Sequence, residues 1–298
     1  MNLGKSLREG AALATRQPAP LIILFGAYLV ASLVLTLPVV AAFNAWLGQR
    51  LILRDVAGDF SLMLPIESLL SGNVLRQGSA SSGATGDTVA LALVTMLMTA
   101  LVANMAGSLI HAVLGGGILL TYVQGRWSVR QFVWGAWRWC MPFVVLWAIF
   151  SACATLITTL GSIVWGVLSA TGASVLSGAA LVLTGLVYLA LSVTFEYARV
   201  IAVTRMRRNI FWALGRATAW IIRRPAQTVG LYVLMVALGL ALMPLYAGIV
   251  APLIPFAWGV VGIAAQQLVV AGRMWTRLAR WAGEMTLYRQ WSQVDLRG

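Results

Sequence analysis

The single histidine of this chain, His111, lies in a stretch free of Asp, Glu, Lys and Arg between Asp87 and Arg126. Asn104 precedes it by about two helical turns, and Gly115-Gly116-Gly117 follows it. An ionisable side chain inside a membrane segment marks a functional site by default. His111 could serve as an axial ligand to a haem or chlorin, as a proton carrier or as a substrate contact. The simpler reading is a neutral imidazole hydrogen-bonded to a neighbouring helix, and we favour it. One histidine with no second ligand and no adjacent carboxylate specifies no chemistry, and it cannot build a two-histidine metal site. The acids are Glu9, Asp55, Asp59, Glu67, Asp87, Glu196, Glu284 and Asp295. None falls deep in a predicted span, so no carboxylate pair is placed for an intramembrane proton relay. Cys140 and Cys153 form neither a disulfide framework nor a metal motif. GxGxxG, P-loop and GxSxG patterns are absent. The chain is therefore expected to carry no catalytic residue, metal or cofactor, with His111 its one candidate cofactor contact.

Arginine and tryptophan carry the other candidate chemistry. Glu196 and Arg199 stand one helical turn apart, the spacing of a structural ion pair. With Arg205, Arg207 and Arg208 nearby they could instead form an anion or headgroup pocket. Downstream, Ile210, Phe211, Leu214, Ala217 and Ile221 repeat with helical spacing, while Arg207, Arg208, Arg216, Arg223 and Arg224 supply charge. Such a segment binds a membrane surface or a partner. The candidate lipid- or partner-binding residues are Arg199, Arg207, Arg208, Arg216, Arg223, Arg224, Trp212 and Trp220. Gln266-Gln267 either line a polar path or bond to another helix, and packing is the reading we favour.

The elements that position these groups follow from composition. Hydrophobic residues make up 60% of the chain and charged residues 10%, and the mean hydropathy is +0.88. A soluble domain could not cover that much apolar surface. A spanning helix needs roughly 20 apolar residues. Uncharged stretches lie between Arg16 and Arg50, Asp87 and Arg126, Arg138 and Glu196, and Arg224 and Arg273. The last two are each long enough for two crossings, with turn residues at 169–174 and around Gly248, Pro252 and Pro255. This predicts an all-α polytopic membrane protein, a single domain with six transmembrane helices at about 20–46, 88–122, 142–168, 175–198, 226–248 and 252–272. With the N-terminus inside, every basic residue except Arg50, Arg54 and Arg76 falls on the cytoplasmic side, as positive charge resists translocation. Both termini are thus expected in the cytoplasm. The net charge of +13 is then a one-sided property that attracts anionic headgroups. No motif accompanies it that would indicate nucleic acid.

Ahead of three spans the chain repeats a pattern: a Ser or Asn, mixed apolar and basic residues, then a proline. The copies run from Ser6 to Pro18, from Ser128 to Pro142 and from Asn209 to Pro225. Each reads as an amphipathic surface helix followed by a hairpin, giving three such units, with surface helices at 4–17, 127–141 and 207–224 and a fourth at 273–291. The Ser or Asn would cap each helix, and the proline would end it. Tryptophans in the second and third copies suit the headgroup region. The extracytoplasmic segment 47–88 combines an apolar part around Phe60–Leu70 with a Gly/Ser-rich linker, and is too short for a catalytic domain. The triple glycine permits close backbone approach or a bend. Gly178, Gly185, Gly230, Gly239, Gly259 and Gly262 are assigned to packing likewise.

Gly115-Gly116-Gly117-Ile118-Leu119 with Tyr122, then Phe132 and Gly135-Ala136, resembles the second inner junction of uncharacterised bacterial six-helix membrane proteins. Glu196-Tyr197-Ala198-Arg199, Ala213-Leu214-Gly215-Arg216-Ala217 and Arg224-Pro225 resemble their fourth-to-fifth junction. The resemblance covers about residues 100–240 and implies a six-helix fold with surface helices in a bacterial inner membrane, but no activity. The functional expectation is a non-enzymatic scaffold, assembly or accessory subunit. It would act on anionic lipids at its cytoplasmic face and on a protein partner in the membrane. The alternative is a transporter or permease-like subunit for a lipid or other amphiphile.

Overall fold

The computed structural model describes residues 3–47, 86–253 and 259–294, with side chains over 4–34, 105–250, 252–253 and 261–292. The predicted external segment 47–88 lies almost wholly outside the described residues, as does the first part of the predicted span at 252–272. Among the described residues the chain is helical and has no strand. The helices are α1 (Leu3–Arg16), α2 (Ala19–Leu47), α3 (Gly86–Gln124), α4 (Val129–Ala170), α5 (Ser174–Thr204), α6 (Ile210–Arg223), α7 (Pro225–Leu245) and α8 (Gly259–Val294). After Pro244, α7 widens into a π-turn at Tyr246–Val250, followed by a turn of helix at Ala251–Leu253. Four stretches are long and apolar enough to cross a membrane: Met105–Gln124, Val129–Ala170, Ser174–Thr204 and Pro225–Val250. A fifth is counted if the bent pair Gly4–Arg16 and Ala19–Val34 acts as one span.

The chain divides into two compact units. The smaller comprises Gly26–Ser108 and Phe256–Gly259. There the Tyr28 hydroxyl donates to the Gly107 carbonyl at 2.8 Å, and a Cβ on Gly107 would meet the Tyr28 ring at 3.1 Å.

The larger unit comprises Met1–Phe25, Leu109–Pro255 and Val260–Gly298, and two glycine contacts set its packing. A Cβ on Gly117 would come within 2.6 Å of the Phe132 carbonyl oxygen, and one on Gly116 would strike the Trp139 side chain. The triple glycine therefore lets α3 lie backbone-to-backbone on the first turns of α4, the close approach that its composition predicts. A Cβ on Gly10 would meet the Gly283 nitrogen at 2.6 Å, so α1 crosses α8 the same way. Of the other glycines assigned to packing, Gly239 faces Thr276 at 2.9 Å, whereas Gly178, Gly185 and Gly262 have no atom within 4 Å of where a Cβ would sit.

The three repeat copies end differently. α1 stops before Pro18 and α6 before Pro225, which occupies the first turn of α7. α4 instead runs unbroken through Pro142, so the predicted surface helix 127–141 and span 142–168 form one helix. A proline inside a helix removes one backbone hydrogen bond. Here the turns before it are held on α3 by buried Phe132, Gly135 and Trp139, which offsets that loss. The caps differ too. Asn209 accepts from the Trp212 N–H at 3.0 Å as a cap should, but Ser128 makes no side-chain cap bond, and Ser6 lies buried within α1.

The predicted surface helix 273–291 and the predicted sixth span form one helix, α8, and most side chains of 273–291 are buried, with Arg273 and Arg277 exposed. Met274, Leu278, Ala279, Trp281, Ala282, Met285, Leu287 and Tyr288 are all buried. These apolar residues fall on several sides of the stretch rather than on one stripe, so burying them takes neighbours on more than one side.

Candidate functional site

α5 changes character along its length. From Ser174 to Leu191 most residues are exposed and apolar, whereas from Ser192 to Val203 nearly all are enclosed. Glu196 sits in the enclosed part and faces α8. Its carboxylate accepts from Arg280 Nη2 at 3.0 Å and from Trp281 Nε1 at 2.6 Å. The nearby Arg199 is no ion-pair partner for it within 4 Å. The pair that spacing predicts within one helix is thus replaced by a pair between helices. Arg199 is buried, and its Nε has no hydrogen-bond partner.

Arg280 joins the cluster together. Its Nε lies 3.8 Å from Glu284 Oε1, and its guanidinium stands 4.5 Å above the Tyr232 ring. Glu284, one turn further along α8, is fully enclosed, and neither carboxyl oxygen has a hydrogen-bond partner. It lies beyond the predicted last span. Burial pushes its carboxyl up and the neighbouring Arg280 pulls it back, leaving it at about 8. Glu284 therefore holds its proton at neutral pH, which avoids a second negative charge beside Glu196. Burial opposes the charge on Arg280, but Glu196 and Glu284 more than offset it and raise its pKa. On the same helix, Arg277 Nη1 donates to His111 Nε2, and the His111 ring meets Trp281 edge-on at 5.8 Å. His111 is buried and held between α8 side chains. A ligand metal at Nε2 would have to displace Arg277. No three His, Cys, Asp or Glu side chains gather as a metal site among the described residues.

A second polar region lies where α5 ends and α6 begins. Arg205, Arg216, Ala219, Trp220, Arg223, Tyr288 and Ser292 line a cleft of about 50 Å³. Arg205 Nε donates to the Tyr288 hydroxyl at 3.1 Å, and Trp220 packs edge-on against Tyr288 and Trp291. Of the predicted lipid or partner contacts, the structure brings together Arg216, Arg223 and Trp220. Arg207 stacks on Trp212, with its guanidinium 4.8 Å from the ring centre, and Arg224 covers Trp291 at 3.1 Å. Arg208 is exposed, and Arg199 belongs to the buried cluster instead. A third feature is a groove of about 460 Å³ on α1, lined by Lys5, Arg8, Glu9, Ala12, Leu13, Arg16 and Thr286. Neither opening is lined by Glu196, Arg280, Glu284 or His111.

Sequence reasoning missed Arg277, Arg280, Trp281 and Glu284 as cluster members and Tyr288 and Ser292 as cleft residues; Arg205 it groups with Glu196 and Arg199 in the alternative anion pocket. A signal existed for the first group. Residues 277, 280, 281, 284 and 288 share one helical stripe, so charged and aromatic side chains fall on one side of the helix and meet one neighbouring surface. No protein-family model, curated protein or solved structure matches the chain.

Proposed function

We propose that this chain is a six-span protein of a bacterial inner membrane, with both termini in the cytoplasm. It serves there as a non-enzymatic scaffold, assembly or accessory subunit, acting through anionic lipids and a protein partner. One observation carries the reading: Glu196 is bonded to Arg280 and Trp281, and His111 to Arg277, so these polar groups are engaged with one another rather than presented to a cavity. An active site instead needs groups aimed into space that a substrate can occupy. The topology rests on the one-sided arginines. The outward face of α4 fits a membrane or partner contact, with Trp137 84% exposed and Val129, Val133, Trp134 and Met141 alongside. Native mass spectrometry of protein released gently from its own membrane tests the reading. A protein partner at fixed stoichiometry is expected; a bare or lipid-only chain would overturn it.

The arginine-lined cleft favours a second reading, a permease-like subunit for an anionic amphiphile, since α6 could couple to a separate ATPase. ATP hydrolysis by a co-purifying subunit, stimulated by the amphiphile, would distinguish it.

A further inference from the structure

We infer that the cleft of Arg205, Arg216, Arg223 and Tyr288 is a binding site for a phosphate group of net negative charge, borne by a lipid or free in solution. Three guanidinium groups converge on it from two directions. Arg205 follows directly on the end of α5, while Arg216 and Arg223 lie two turns apart on one face of α6. Among the described residues, none of the three has a carboxylate within 4 Å, and no acid lines the cleft. Three like charges around one small space repel each other unless an anion enters. In the buried cluster nearby, by contrast, Arg280 lies within 4 Å of both Glu196 and Glu284.

The donor set suits phosphate. Guanidinium forks match phosphate oxygens with paired N–H bonds. Arg205 is already oriented, because its Nε donates to the Tyr288 oxygen at 3.1 Å. That leaves the Tyr288 hydroxyl proton to donate into the cleft. The Ser292 hydroxyl is committed to the Arg289 carbonyl at 3.0 Å, so the neutral donors of the lining are Tyr288 and Trp220, whose Nε1 has no hydrogen-bond partner. Size agrees as well. A water needs about 10–15 Å³ of such space, so a cleft of about 50 Å³ takes about four oxygen-sized groups, the number on a phosphate.

Position adds a further argument, and here the inference rests on the proposed membrane placement. The cleft lies between the end of one candidate span at Thr204 and the start of another at Pro225. On α6, Phe211 and Ile222 are 75% and 73% exposed, while Ala213 and Ala217 are buried. Arg216 and Arg223 fall between those two stripes, so a headgroup held by them would place its acyl chains along Phe211 and Ile222.

The test uses the full chain purified in detergent and two probes, phosphatidic acid by native mass spectrometry and inorganic phosphate by calorimetry. Phosphatidylcholine and oleate serve as controls, one with a neutral headgroup and one anionic without phosphate. Replacing Arg205, Arg216 and Arg223 together by Gln is compared with replacing Arg130, Arg207 and Arg208, an equal loss of charge away from the cleft. The cleft variant is expected to lose phosphate-probe binding by at least about tenfold, and the other by under about threefold. Arg216→Gln alone, on the exposed face of α6, reads the same direction if the triple variant folds poorly. Binding of phosphatidic acid without inorganic phosphate identifies the lipid as the source, and equal binding of both identifies the free ion. Equal loss in the two triple variants, or no preference for phosphatidic acid and phosphate over both controls, overturns the inference. Since no partner protein is involved, a chain that binds phosphate but shows no partner would sink the accessory-subunit reading and leave this one standing.

Discussion

The two halves of the α4–α5 hairpin reverse the usual rule of protein interiors. Towards the turn at Thr171–Ala173, the exposed side chains include Leu156, Leu160, Ile163, Val167, Leu181, Val182 and Leu186. Towards the other end of α5, the enclosed side chains include Arg199 and Tyr197, with Arg280, Glu284 and His111 around them. In the proposed membrane placement the outward half needs no polar partners, because lipid is as apolar as its own side chains. The inward half holds largely buried charges, and a buried charge needs compensation within the protein. Exposure here therefore marks what the solvent tolerates, whereas burial marks what the fold must pair.

Breaking the buried half should cost most. Arg280→Met leaves Glu196 without its ion-pair partner and is expected to lower stability by about 3–5 kcal/mol, read as a large fall in thermal midpoint in detergent. Adding Glu196→Gln should restore part of that loss. If Arg280→Met behaves like an exposed substitution, the cluster is not a structural pairing at all.

The pH dependence comes next. Glu284 has its pKa raised from 4.5 to about 8, with Arg280, Glu196 and Arg199 as the charged groups around it. Between those values the folded chain holds a proton that the unfolded chain has released. Its contribution is present in full below about 4.5 and is lost as pH rises through 8. Thermal midpoints should therefore fall from pH 5 to pH 8.5, and Glu284→Gln should flatten that part of the profile. An unchanged slope in the variant would assign the effect to another group.

Glycine substitutions sharpen the same contrast on a smaller scale. Gly116→Ala forces a methyl into Trp139 and should cost about 1–3 kcal/mol. Gly178→Ala, in open space on the outward half of α5, should be neutral or stabilising by up to about 1 kcal/mol. Equal effects would mean that α3 and α4 are not in backbone contact. The smallest effect belongs to the outward face itself. Leu160→Ala and Val182→Ala should change stability in detergent by no more than about 0.5 kcal/mol.

Much of the helical layout was legible beforehand, because long apolar runs and the Arg224-Pro225 break are local signals. The triple glycine was legible for a similar reason: three residues without side chains leave close approach as their main structural use. The charge cluster was less so. Glu196 pointed to Arg199 by spacing, yet its partners lie 84 and 85 residues away. Local periodicity says which residues share a face, not which helix that face meets. The same limit applies to the cleft, where α6 supplies Arg216 and Arg223, the end of α5 supplies Arg205 and α8 supplies Tyr288.

The sequence by itself determined that this chain is helical and built largely of membrane-length apolar segments, since composition and run length suffice for that. It determined, too, that arginine gathers at the segment ends. Tertiary structure alone decided that most of residues 278–288 are enclosed, that Arg280 answers Glu196, and that Arg205, Arg216 and Arg223 face one small space. Hydrophobicity acts on each residue by its type, so it can be read in order along the chain. Charge pairing acts across whatever distance folding closes, so it is fixed only when the helices meet.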